Sequence, residues 1–136
     1  MIDKTQWFHK NTGPWDDEVS GKQWFDETTG LPCLIRRTPL GHLCGYVGLP
    51  SNHPWHGKPY SRIRLDVNVH GNLTYAGKTP DDFALPGYWW IGFDCSHSFD
   101  LVPGMRINYA GEYRTIAYVK AECTSLAIAA NNVETL

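Results

Sequence analysis

The sequence predicts an α+β domain: an antiparallel β-meander sheet packed by one C-terminal helix. Three observations carry this expectation. Short apolar or mixed runs joined by tight turn sequences fill residues 22–48. Residues 62–69 alternate apolar and polar side chains with period two. Residues 112 to about 130 carry one apolar stripe at helical spacing. The chain of 136 residues suits a single domain spanning 1–136, large enough to bury a core without staples.

In order, residues 1–21 read as irregular, with a short helical turn near Thr5–Lys10 broken by Gly13-Pro14-Trp15. Lys22 to Asp26 and Leu31 to Arg37 form the first two strands, linked by the turn Glu27-Thr28-Thr29-Gly30. Thr38-Pro39-Leu40-Gly41 suits a type I turn and leads into a third strand, His42 to Gly48. Pro50 to Tyr60 is a proline-rich loop. Arg62 to Val69 is the clearest strand, with Ile63, Leu65, Val67 and Val69 on one dry face; Leu73-Thr74-Tyr75 resumes it after a turn. Lys78 to Gly87 is another loop. Tyr88 to Phe93 is a nearly continuous apolar run, as expected of a central strand buried on both faces. In the helix, Ile116, Val119, Cys123 and Leu126 make the stripe that should lie on the sheet's dry face.

The totals exclude several classes. A formal net charge of −2 provides no global field for duplex nucleic acid. No run of about 18 apolar residues is present, so no membrane span is expected. The polar N-terminus has no apolar h-region, so the chain is expected in the cytoplasm with Cys33, Cys44, Cys95 and Cys123 as thiols. None of these cysteines forms a CxxC pair, which argues against a zinc ribbon. The excess is aromatic: six Trp, seven Tyr and five Phe. Aromatics line ligand pockets and interfaces as well as cores.

Four segments repeat one theme, an apolar strand followed by a small or polar corner: 42–48, 52–58, 69–75 and 89–97. Five of the six histidines lie there. Loops after strands are where sites are commonly built. The densest group is Asp94, Cys95, His97 and Asp100. It suits a histidine-activated Cys95 nucleophile, but a buried inert thiol at a strand end is the favoured reading. His53, His56, His70, His97, Asp94 and Asp100 are metal-ligand types without a diagnostic spacing; no metal or cofactor is expected. A third reading is a nucleotide-like ligand, with aromatic faces for a base and Arg36, Arg37, Arg62 or Arg64 for phosphates. Asp16, Asp17 and Glu18 are read first as partners for Arg36 or Arg37.

The motifs GPWD (13–16), GLPCLI (30–35), CGYVG (44–48), VHGNLTY (69–75) and WWIGFDCSH (89–97), followed by Tyr113-Arg114 and Tyr118-Val119, occur together in this order. In these the chain resembles an uncharacterised family of small phage, prophage and bacterial proteins, over most of residues 13–126. The stretch between Gly77 and Tyr88 departs from it, being shorter than the insertion such proteins carry. The resemblance points to Trp15, Asp16, His53, His70, Thr74, Trp90, Asp94, Cys95 and His97 as site residues; Trp55 joins them as a stacking candidate. A phage setting implies a counter-defence protein that sequesters a nucleotide-type immune signal, a cyclic nucleotide or a cyclic ADP-ribose isomer, in the host cytoplasm, as an oligomer. Two other classes fit the same residues. One is a hydrolase or phosphodiesterase using the His/Asp/Cys cluster, with or without a metal. The other is a protein-binding inhibitor of a host defence complex, anchored by Trp7, Trp55 or Trp89.

Overall fold

The computed structural model describes residues 4, 7–9, 13–106 and 110–133. Five antiparallel strands form one sheet: β1 (Gly21–Phe25), β2 (Pro32–Arg37), β3 (Leu43–Leu49), β4 (Tyr75–Gly77) and β5 (Trp89–Asp94), in the order β1-β2-β3-β5-β4. One helix, α1 (Ile116–Asn131), follows, so the α+β class holds. Short 3₁₀ turns occupy Pro14–Asp16 and Tyr60–Arg62. The helical turn expected near Thr5–Lys10 falls largely outside the described residues. Among the described residues, no helix is long and apolar enough to cross a membrane.

The first three strands are the expected meander. Gly30 closes the β1–β2 link at φ 75°, a left-handed conformation that costs glycine little. The Asp26 carboxylate locks that turn by accepting from Thr29 N at 2.9 Å and Thr29 Oγ1 at 2.8 Å. The Thr38–Gly41 turn closes through Gly41 N donating to Thr38 O at 2.9 Å. β3 is buried along its whole length, as the middle of five strands must be.

The segment with the clearest alternation is not a strand. Between Ile63 and Val69 the chain has no ladder partner, and most of it is exposed. Ile63 and Val69 are buried in the same cluster as α1, Leu65 packs partly against it, and Val67 is 41% exposed. The alternation is therefore matched by burial only at the two ends of the segment, and by no pairing. The place beside β5 is taken by the short β4, three residues downstream of the turn at His70-Gly71-Asn72.

The helix begins four residues later than the expected residue 112, at Ile116, the first residue of its apolar stripe. Thr115 caps it, accepting from Tyr118 N at 3.2 Å, and Glu18 Oε2 accepts from Ile116 N at 2.7 Å. Val119, Cys123, Leu126, Ala127 and Ala130 then face β2 and β3. Burial of such a stripe is worth roughly 1.5–3 kcal/mol per large side chain and outweighs intrinsic helix propensity. Glu112–Arg114 is extended instead, because Glu112 pairs with the 99–101 segment: Glu112 N donates to Phe99 O at 3.0 Å, and Leu101 N to Glu112 O at 2.9 Å.

The opposite sheet face carries a second cluster of Leu34, Cys44, Tyr46 and Trp90, covered by Ala84, Leu85 and Tyr88. Gln23 holds that cover down, donating to Phe83 O at 3.0 Å and accepting from Leu85 N at 3.1 Å.

Candidate functional site

The chain gathers its polar chemistry where β5 ends and α1 begins. Asp100 is the hub, with no exposed surface. Its Oδ2 accepts from His70 Nε2 at 2.7 Å and from His97 N at 3.0 Å; its Oδ1 accepts from Arg114 Nε at 2.9 Å. A carboxylate out of water needs such donors, and here they include one permanent cation. As a carboxylate Asp100 can only accept, so His70 Nε2 carries the proton. The other ring nitrogen, Nδ1, shares a hydrogen bond of 2.7 Å with the Tyr118 hydroxyl. The result is a continuous Asp100–His70–Tyr118 relay.

Arg114 lies between two aromatic rings, its Cζ 5.0 Å from the Tyr118 centroid and 5.5 Å from that of Phe99. Nη1 reaches Glu112 at 3.4 Å, and Nη2 makes no hydrogen bond to a described residue. Phe99 is 48% exposed and stacks on His97 at 5.9 Å and 17°. His97 also approaches Asp94, Nε2 to Oδ1 at 3.4 Å. Burial would raise the Asp94 pKa, but hydrogen bonds from Ser96 and Thr74, with His97 alongside, hold it below the usual carboxylate range. Gly71 makes room for this packing. At φ +64° it brings its backbone so close to His97 that a Cβ would fall 2.0 Å from Nε2.

His70, Thr74, Asp94 and His97, four of the residues singled out in the sequence, thus meet in one corner. The others lie elsewhere. His53 pins the Pro50–Tyr60 loop: Nδ1 accepts from Trp55 N at 3.0 Å, and Nε2 donates to Ala130 O at 2.8 Å. Twelve helical residues separate Ala130 from Tyr118, about 18 Å at 1.5 Å per residue, so His53 is remote from the corner. Trp55 is buried in the main cluster and Trp90 is wholly buried in the second. Neither offers a face for stacking. Trp7 is buried as well, so neither it nor Trp55 projects as an interface anchor. Trp15 rests edge-on against Tyr113 at 5.1 Å. Asp16 bonds Lys4 Nζ at 2.8 Å and accepts from Gly13 N at 2.9 Å; the lysine chiefly holds its pKa down. Of the acidic run, Glu18 is the residue that meets Arg37, at 3.3 Å, while accepting from the Tyr113 hydroxyl at 2.6 Å.

Cys95 sits in the core, and burial pushes its thiol far above the ordinary range, with Asp100 adding to the shift. That removes the thiolate a nucleophilic cysteine needs. Among the described residues, no group of three His, Cys, Asp or Glu is placed to hold a metal ion.

The sequence reading missed the roles of Arg114, Tyr118 and Phe99. Arg114 and Tyr118 stood inside recognised motifs, but a helix drawn from residue 112 turns Arg114 away from Asp100. Only the later start, set by Thr115, shows the extended approach.

Fold and corner together define an α+β protein built around a buried Asp–His–Arg centre. No protein-family model, curated protein or solved structure matches the chain.

Proposed function

We propose that this corner binds a small nucleotide-type ligand and holds it without turnover, and that the chain sequesters such a molecule in the cytoplasm of a phage-infected host. The supporting observation is Arg114. Asp100 holds its guanidinium between Phe99 and Tyr118, and Nη2, which makes no hydrogen bond to a described residue, can meet a ligand phosphate beside the half-exposed Phe99 side chain. Asp94 and Thr74 lie next to it as partners for sugar hydroxyls. The phage-like motifs supply the counter-defence setting, with cyclic nucleotides and cyclic ADP-ribose isomers as the ligand class.

Binding is favoured over chemistry because both nitrogens of His70 are engaged and the thiols are buried. Burial also raises the Tyr118 pKa, with Glu122 adding to the rise and Arg114 opposing it, which suits a hydrogen-bond donor better than a nucleophile. The relay through His70 nonetheless favours one second reading, a hydrolase in which His70 accepts the Tyr118 proton.

Calorimetry against cyclic nucleotides, cyclic dinucleotides and cyclic ADP-ribose isomers tests the proposal. Binding is expected at micromolar or tighter Kd, lost in Arg114→Ala, with the ligand recovered intact after heat denaturation. Recovery of hydrolysis products supports the second reading instead. No binding tighter than about 1 mM by any of these ligands overturns both.

A further inference from the structure

β1 is an edge of the sheet; among the described residues its one strand partner is β2. The ladder is anchored at both ends, Arg37 N donating to Ser20 O and Asp26 N to Leu31 O, each at 2.8 Å. Alternate residues of an antiparallel strand turn their backbone groups to the same side. Lys22 and Trp24 therefore face β2, while Gly21, Gln23 and Phe25 present N–H and C=O outward. No proline or bulge interrupts this edge. Depressions flank it on both faces. One of about 270 Å³ is lined by Gly21, Gln23, Leu34 and Phe83, and one of about 440 Å³ by Lys22, Trp24, Glu27 and Lys120. Phe25 is 57% and Phe83 84% exposed beside them.

We propose that β1 is a dimerisation edge, on which two copies of this chain pair antiparallel about Gln23 and join their sheets into one. The strand is self-complementary in that register. Gln23 meets its own copy, and Gly21 meets the partner's Phe25, so every outward residue is paired with an outward residue. A shift of two residues in either direction loses one pair. Phe25 of each copy then sits over the glycine at the mouth of the smaller depression, where no side chain competes with it. On the helix-bearing face, Lys22 stands opposite the partner's Trp24, an ammonium against an indole. Charge selects a second copy rather than another strand. The segment is basic at its start, Lys22, and acidic just past its end, Asp26 and Glu27. Antiparallel self-pairing lays the basic end of each copy toward the acidic end of the other, where Glu27 is the exposed carboxylate, Asp26 being buried and bound to Thr29. Among the described residues, Lys22 has no ion-pair partner within its own chain.

Light scattering and native mass spectrometry of the full chain, with amide hydrogen exchange over a dilution series, test this edge. A dimer is expected. The Gly21, Gln23 and Phe25 amides should gain at least about tenfold protection as the chain is concentrated, the Lys22 and Trp24 amides being protected throughout. Phe25→Lys and Phe25→Pro should each yield a monomer with unchanged circular dichroism, since Phe25 is exposed and its N–H points away from the sheet. A chain that stays monomeric at about 0.5 mM overturns the proposal. So does a dimer whose three outward amides stay unprotected, or one that survives both substitutions.

Discussion

Asp100→Asn isolates the hub without changing its volume. The amide oxygen must stay where two donors converge, at the position of Oδ2, which receives His70 Nε2 and His97 N. The amide NH₂ then faces Arg114 Nε–H, donor against donor. One charged hydrogen bond is lost, worth about 1.5–3 kcal/mol. The Arg114 side chain is 16% exposed and can turn toward water, which places the loss at the lower end of that range. The two surviving hydrogen bonds fall from charge-assisted to neutral and lose about half their strength, roughly another 1 kcal/mol. The total of about 2.5 kcal/mol is survivable against the 5–15 kcal/mol typical of a domain. At an unfolding entropy of about 2.1 cal/mol/K per residue, a chain of 136 residues should lose about 9 °C in Tm. Urea denaturation and calorimetry of the two proteins at pH 7 measure it. A loss under about 2 °C, with the native circular dichroism retained, would refute the assignment of Asp100 as the group that holds His70 and Arg114 in place.

Three further outcomes follow from the structure. Gly71→Ala places a methyl group on the His97 ring and demands φ +64° of an alanine; it should cost about 1–3 kcal/mol and weaken ligand binding at least tenfold, with the His97 ring resonances shifted by NMR. Burial pushes the Cys44 thiol up to about 11 and that of Cys33 to about 12, and raises those of Cys95 and Cys123 well above the ordinary range. At pH 8 none should react with a thiol reagent in the folded protein, while all four react in urea. For an acid whose pKa is raised on folding, the native state holds its proton longer than the unfolded chain does. The stability this contributes is complete below the model-peptide value of 9.0 and is lost as pH rises from 9 toward 11 and beyond. A urea midpoint that rises over pH 9–11 would contradict this.

The fold was largely legible because its signals are local. Gly30 and Gly41 mark the turns of the meander, and Val119, Cys123 and Leu126 mark the buried face of the helix. The failure at 62–69 is instructive for the same reason. An alternating pattern is a local signal that does not specify a partner: Ile63 and Val69 are buried, Val67 is exposed, and no strand pairs with the segment. The site was legible by half. Thr74, Asp94 and His97 sit at or just beyond strand ends and His70 in the turn before β4, where sequence order and spatial order nearly agree. Arg114 and Tyr118 do not, because they reach the corner through the bridge at Asp100–Glu112 and the cap at Thr115, both set by tertiary contact. His53 and Trp55 resembled the corner residues in type and context, yet serve the opposite end of α1. A residue in a polar loop carries the same composition signal whether it pins the loop or meets a ligand.

The two proposals occupy different parts of one sheet and can be separated. The edge strand β1 stands three places from β5, about 14 Å at a strand spacing of 4.7–4.9 Å. Pairing along β1 extends the sheet away from the Asp100 corner and leaves Phe99, His97 and Arg114 uncovered. Each copy in a dimer should then take one ligand, at sites that do not share residues. The calorimetric stoichiometry should be one per chain, with no cooperativity. Phe25→Lys should abolish the dimer while leaving ligand affinity within about twofold; Arg114→Ala should do the reverse. Loss of ligand affinity in Phe25→Lys would show that the corner depends on the second copy, which this arrangement of strands does not allow.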